Sequence, residues 1–297
     1  MLRFRLTLAY DGTDFHGWQR QDVPTDHPLA LAAIGEAAPG RLALRTVQHV
    51  VEQAVRQVVR EPITIVGASR TDAGVHAQAQ TAAFTCSEEA RRPPDERLAQ
   101  AITSRLPPDV VCISCEPAPT DFDPIGDCLA KGYHYAFHTG RERPLWDRRY
   151  VWHTHHDLDV ARMQDAAAQL AGERDFAALA ALDHGRESTV RTIFACRVTE
   201  PAPRRVAVEV SGDGFLYNMV RILAGTLHEV GRGKIEPGAI PDILESRDRR
   251  RAGPTLPPEG LRLDWIRYPG DTPHPDMPPG LTTARARREA RAEQEID

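Results

Sequence analysis

Lysine is almost missing from this chain: Lys131 and Lys234 are the only two among 37 basic residues. Arginine carries the rest, and its planar guanidinium both grips phosphate bidentately and stacks on bases. No apolar run approaches the ~20 residues that a membrane-spanning helix needs. Residues 1–10 alternate like a strand and lack a charged region followed by an apolar core, so no signal peptide is expected and the location is expected to be cytoplasmic. There is no glycine-rich phosphate loop and no closed set of metal ligands, so neither cofactor nor metal is expected. Cys112 and Cys115 form a C-x-x-C, but no second pair completes a zinc site. They lie in an apolar, strand-like run and read as small buried hydrophobes. His153, His155 and His156 cluster without cysteine company, and zinc is not expected there either. The net charge of −5 carries no global sign of a polyanionic partner, although an acidic protein can still carry a basic stripe.

At 297 residues with 41% hydrophobic content, the chain can bury one large core or two modest ones. Apolar residues occupy every even position from Leu2 to Tyr10, the mark of a half-buried strand. Val47, Val50, Val51, Ala54, Val55, Val58 and Val59 keep helical spacing through Arg60. Strands are expected over 62–67, 80–85 and 110–115, with a short helix over 97–106 stopped by Pro107 and Pro108. The second half repeats this kind of order without visible identity. It reads as strand 129–137, helix 158–170, strand 190–198, the alternating Val206, Val208 and Val210, and a helix over 215–230. The fold class is therefore α+β, with helices on one face of mainly antiparallel sheets. The expected organisation is an N-terminal half over 1–118, a C-terminal half over 119–269, and a Pro-rich and Arg/Glu-rich tail over 270–297. Residues 22–45, rich in Ala, Pro and Gly, read as a surface insertion with a short helix around 29–36.

The chemistry concentrates in Gly67-Ala68-Ser69-Arg70-Thr71-Asp72-Ala73-Gly74-Val75-His76-Ala77, a polar turn between two strand-like runs. Taken alone, Asp72 would be ordinary turn chemistry. Further segments accompany it: Asp11-Gly12-Thr13 with Phe15, Gly17, Trp18, Gln19 and Gln21; Lys131-Gly132-Tyr133-His134-Tyr135; Phe215-Leu216-Tyr217-Asn218-Met219-Val220-Arg221; and Gly253-Pro254-Thr255-Leu256 through Gly260-Leu261-Arg262-Leu263. In this order they resemble the motifs of the tRNA pseudouridine synthase A (TruA) family from the first strand to about Tyr268. The insertion departs from that pattern, since the family passes the same point in a few residues.

The resemblance implies two ferredoxin-like or RRM-like halves around a central cleft, and isomerisation of uridine in the anticodon stem-loop of tRNA, at positions 38 to 40. A homodimer and no cofactor go with it. Asp72 matches the family's catalytic aspartate, a nucleophile toward either the sugar or the uracil ring. A water-excluding pocket penalises a bare carboxylate, so a nearby cation is expected, and Arg221 is the matching candidate. Tyr133 would stack on the flipped uracil and assist proton removal from C5, while Tyr135 reads as packing. Arg70 would fill the space that the extruded base leaves. Leu261 or Leu263 would line the pocket, Thr71, Gly74 and His76 would shape the loop, and Arg232, Lys234, Arg247, Arg249, Arg250 and Arg251 form a candidate phosphate patch. Two alternatives stand beside this: a catalytically silent tRNA-binding protein, or a synthase with a different RNA target. A solitary-Asp glycoside hydrolase is disfavoured, because no second acid stands at a motif position.

Overall fold

Alternation makes the first strand two-faced. In the computed structural model, which describes residues 1–181 and 188–294, β1 (Leu2–Tyr10) buries Phe4, Leu6, Leu8 and Tyr10 and leaves Arg3, Arg5 and Thr7 part-exposed. The chain divides into two compact units, Met1–Asp127 and Cys128–Asp297.

In the first unit, β2 (Asp22–Pro24), β3 (Ala33–Ala38) and β4 (Arg41–Leu44) form a separate antiparallel sheet in the order β2-β4-β3. The helix expected around 29–36 is absent; a single 3-10 turn at Ala30–Ala32 leads straight into β3. Gly35 weakens helix here, and the Pro39-Gly40 turn, with Gly40 at φ 73°, closes a hairpin instead. The helix α1 (Val47–Val59) is capped by Thr46, whose side chain accepts from the His49 amide, and buries its valine stripe.

The strand expected over 62–67 shrinks to β5 (Val66–Gly67) because α1 takes over its hydrogen bonds. The Ile65 amide donates to the buried Glu52 carboxylate at 3.0 Å, Gln48 donates to the Ile65 carbonyl at 2.8 Å, and Arg56 Nε donates to the Ile63 carbonyl at 2.8 Å. Then come β6 (His76–Cys86), α2 (Asp95–Thr103) and β7 (Val110–Ala118). The order β7-β1-β6, with β5 on β6 and every pair antiparallel, is the ferredoxin-like β-α-β-β-α-β arrangement.

The second unit contains β8 (Ala130–Thr139), β9 (Trp152–Thr154), α3 (Val160–Ala168), β10 (Gly172–Asp175), β11 (Val190–Ala202), β12 (Arg205–Gly212), α4 (Met219–Gly231), α5 (Ile240–Ser246), β13 (Leu261–Arg267) and α6 (Ala284–Gln294). Its order is β10-β11-β12-β8-β13, with β9 parallel on β8. Setting β9 and β10 aside, the β8-α3-β11-β12-α4-β13 core repeats the first unit's connectivity. Tyr135, Phe137, Val206, Val208, Val210 and Leu263 share its buried sheet face, and α4 is buried nearly all round. The Pro-rich stretch after Tyr268 is tied to this unit: Asp276 accepts from Arg197 at 2.7 Å and Ser211 at 2.9 Å, and His274 stacks on Trp265. Residues 295–297 of the expected tail lie outside the described residues. No helix among the described residues is long and apolar enough to cross a membrane.

Candidate active site

Asp72 sits in the loop that joins β5 to β6, and the loop is held along its length. At its root, the Ala68 amide donates to the Thr81 carbonyl at 2.8 Å. The fully buried Gln80 grips Ser69 twice, accepting from its amide at 3.3 Å and donating to its carbonyl at 2.6 Å. One residue before Asp72, the buried Thr71 hydroxyl lies 2.8 Å from the Tyr10 hydroxyl, and its carbonyl accepts from the Trp18 amide at 2.9 Å. The Asp72 carbonyl accepts from the Val75 amide at 3.1 Å, and the Gly74 amide donates to the Phe15 carbonyl at 3.3 Å. Gly74 takes φ 81°, which a side chain would resist.

The segment from Asp11 to Trp18 is thus the loop's cradle. Gly17 has φ 85°, and a Cβ there would come within 2.8 Å of the Thr71 carbonyl oxygen. The Gly12 amide donates to Nδ1 of the buried His76 at 3.0 Å, closing the far end of the loop. Between these ties Thr71 is buried, Asp72 half-buried and Arg70 exposed. A short carboxylate flanked by pinned backbone cannot wander, which is what a nucleophile requires.

In the second unit, Arg221 stands on the first turn of α4, half-buried beside a helix that is otherwise core. The helix expected over 215–230 begins only at Met219, because Asn218 adopts a left-handed φ of 59°. That turn brings the Asn218 side-chain oxygen to Arg221 Nη1 at 2.9 Å, while Arg221 Nε donates to the Leu256 carbonyl at 2.7 Å. The guanidinium is therefore aimed by two acceptors. The 253–257 segment lies directly on α4: a Cβ at Gly225 would overlap the Pro254 carbonyl oxygen, and the Gly253 amide donates to the Thr226 hydroxyl at 2.9 Å. Tyr135 donates its hydroxyl to the Pro257 carbonyl at 2.8 Å, and burial pushes that hydroxyl well above its usual range. Tyr135 is a latch on this segment.

Tyr133 is mostly buried, with its ring edge-on to Phe215 at 5.1 Å between centroids. It pairs across strands with Leu263, and Leu261, two residues earlier on β13, pairs with Tyr135. Leu261 is buried too. Asp72 and Arg70 thus belong to the first unit; Tyr133, Arg221 and Leu261 belong to the second, connected there through Phe215, Leu256 and Tyr135.

Other expected sites take different forms. Arg247 pairs with Asp175 at 2.9 Å, Arg250 with Asp248 at 2.8 Å and Arg232 with Glu229 at 2.9 Å, while Arg249 donates to the Gly253 carbonyl and the Thr255 hydroxyl. Arg247 and Arg250 stay largely exposed in these pairs, while Arg249 props up the segment that orients Arg221. His228 is buried in α4, 3.0 Å from the Thr154 hydroxyl and stacked on Phe137. His153 is bound to the Gly140 carbonyl at 2.8 Å, and no group of three or more His, Cys, Asp or Glu among the described residues could hold a metal ion. Cys112 and Cys115 are buried, and burial raises both thiols, Cys112 to about 12. Tyr10, Gln80, Asn218 and Arg249 carry roles that spacing did not reveal; their signal was only proximity to a motif.

A family model described as tRNA pseudouridine synthase matches residues 37–125 and 166–269. The chain is 36% identical over 268 residues to tRNA pseudouridine synthase A 2 of Clostridium perfringens, covering 90% of this chain and 100% of that protein. It is 37% identical over 268 residues to tRNA pseudouridine synthase A of Ruminiclostridium cellulolyticum, with the same coverage. Against tRNA pseudouridine synthase A of Syntrophomonas wolfei it is 38% identical over 273 residues, 92% of this chain and 100% of the relative. The motifs, the repeated ferredoxin-like connectivity and these similarities agree: the chain belongs to the tRNA pseudouridine synthase family.

Proposed function

We propose that this chain isomerises uridine to pseudouridine in the anticodon stem-loop of tRNA, at positions 38 to 40, with Asp72 as the nucleophile. The reaction breaks the N1–C1′ glycosidic bond, turns the uracil and forms a C5–C1′ bond; C5 loses a proton and N1 gains one. Electrons balance without an oxidant or reductant. The carboxylate attacks either the sugar or the uracil ring, and both routes begin from the same Asp72 on its pinned loop.

Arg221 serves as its counter-ion, which favours the charged carboxylate once water is excluded. Tyr133 supplies an aromatic face for the flipped base and a hydroxyl for the C5 proton, Leu261 lines the pocket, and Arg70 occupies the space vacated in the stem. The protein works in the cytoplasm as a homodimer. The observation that carries this reading is the pinning of the Asp72 loop on both sides, by Tyr10, Trp18 and Gln80, within a chain of this family. Scaffolding of that density around one turn is unneeded for ordinary turn chemistry.

The test incubates unmodified tRNA transcripts with the parent and with Asp72→Asn, and maps pseudouridine chemically. The parent should modify the anticodon arm; the variant should bind tRNA and form no product. Product from Asp72→Asn would remove Asp72 from the mechanism. Binding without product by the parent would assign the chain to a silent tRNA-binding role.

A further inference from the structure

The loop between β8 and β9, residues 140–151, carries the most exposed large aromatic side chain among the described residues. Trp146 is 92% exposed and Leu145 63%. One exposed ring is ordinary on a protein surface; what sets this one apart is its setting. The loop is built, not loose. His153 Nε2–H donates to the Gly140 carbonyl at 2.8 Å and His138 Nε2–H to the Glu142 carbonyl at 3.0 Å. Within it, Arg148 donates to the Leu145 carbonyl at 2.9 Å and the Tyr150 amide to the Asp147 carbonyl at 2.8 Å. Trp146 is therefore presented at the apex of an ordered turn.

The charge around it reverses the sign of the whole chain. Arg141, Arg143 and Arg148 lie in the loop, with Arg204 and Arg205 beside it where β11 turns into β12. The loop's only carboxylates are already neutralised: Glu142 pairs with Arg204 at 2.7 Å, and Asp147 with Arg205. These five arginines against two acids leave a surplus of three positive charges on a protein whose net charge is −5. A planar aromatic inside an arginine surplus matches unpaired nucleotides, which offer base faces and phosphates together. A second copy of the chain, meeting this face with the same face, would set surplus against surplus.

We propose that the 140–151 loop is a second tRNA-docking element, with Trp146 stacking on an unpaired base and Arg141 and Arg143 contacting adjacent phosphates. The loop leaves β8 just past Thr139, six residues and roughly 20 Å along the strand from Tyr133, so the docking element starts well away from that residue. This rests on tRNA being the substrate.

The experiment measures binding of an unmodified tRNA transcript along a potassium chloride series, with sedimentation mass and pseudouridine formation read separately. Trp146→Ala should weaken binding about 10-fold, and Trp146→Phe should recover most of that loss. The double variant Arg141→Gln/Arg143→Gln should reduce the slope of log affinity against log salt by about two. An affinity and slope indifferent to these changes overturns the proposal. So does a loss of affinity that accompanies a loss of sedimentation mass, which would assign the face to a second copy. A parent that forms no pseudouridine fails the functional reading instead, whatever the loop does.

Discussion

Gly225→Ala should inactivate the protein through a helix position that touches no reacting group. Glycine in a helix interior costs ~0.5–1 kcal/mol relative to alanine, so at an indifferent site the change would stabilise by that amount. Here the added methyl overlaps the Pro254 carbonyl oxygen, which must retreat by about 1 Å. Gly253 crosses the same turn so closely that a Cβ there would overlap the Gly225 backbone, leaving the segment no lateral escape. Overpacking of this kind costs ~1–3 kcal/mol, and loss of the Gly253 amide bond to Thr226 adds ~1 kcal/mol. The net expectation is a destabilisation of about 1–3 kcal/mol.

The kinetic effect should exceed the thermodynamic one. Leu256, two residues past Pro254, holds Arg221 Nε at 2.7 Å, so its carbonyl moves with the segment. A misplacement of ~1 Å in a catalytic constellation costs on the order of 10²-fold in rate. Urea melts followed at equilibrium, together with single-turnover pseudouridine formation under conditions where the variant is folded, separate the two effects. Gly238→Ala is the control, because nothing lies within 4 Å of its missing Cβ and its backbone is not left-handed; it should be neutral or slightly stabilising. A folded Gly225→Ala protein with parental stability and rate would refute the idea that the 253–257 segment aims Arg221.

Tyr135→Phe removes the hydroxyl from the Pro257 carbonyl and should cost ~1–3 kcal/mol in urea melts, with faster hydrogen exchange in β13; a loss under ~0.5 kcal/mol would make the latch idle. Arg70→Ala should slow pseudouridine formation more at base-paired target uridines than at unpaired ones; equal losses would exclude Arg70 from holding the opened stem. Burial lowers the proton affinity of His228 and His134 below the ordinary 6.5, outweighing the opposing pull of Glu229 and Asp264. The unfolded chain therefore binds protons first as pH falls through 6.5, so stability should drop as pH falls below about 7.5 and level off once the folded histidines charge as well. Melts showing equal or greater stability at the lower pH would contradict that sign.

What was legible in the sequence is tied to glycine and to period. Gly12, Gly17 and Gly74 mark places where two backbone segments cross or where φ turns positive, and the cradle around Asp72 is made of those crossings. Alternation in β1 and the valine stripe of α1 show directly because burial imposes them. The misses occurred where a side chain from elsewhere replaced a local rule. Glu52, Gln48 and Arg56 reach from α1 to satisfy Ile63 and Ile65, so a strand-like sequence leaves the sheet. Asn218 has a helical neighbourhood in sequence, yet its left-handed turn delays α4 and creates the acceptor for Arg221.

Charge was the least legible property, for the same reason. The Arg247 to Arg251 run acquires partners that the sequence does not show: Asp175 lies some seventy residues away, and Gly253 and Thr255 become acceptors only once the chain folds back. Around 140–151 the direction reverses, since Arg204 and Arg205 arrive from a distant hairpin and cancel the two acids that would have masked the loop's arginines. Whether an arginine run meets solvent, protein or RNA is thus decided by which carboxylates the fold delivers to it. A charge-reversed Arg204→Glu should make the point independently of stacking: it leaves Trp146 in place but adds negative charge beside Glu142, so tRNA affinity should fall while the Trp146 contribution, measured by a double-mutant cycle with Trp146→Ala, stays within about 0.5 kcal/mol of its value alone. Coupling well above that would mean the tryptophan and the arginines do not act as separate base and phosphate contacts.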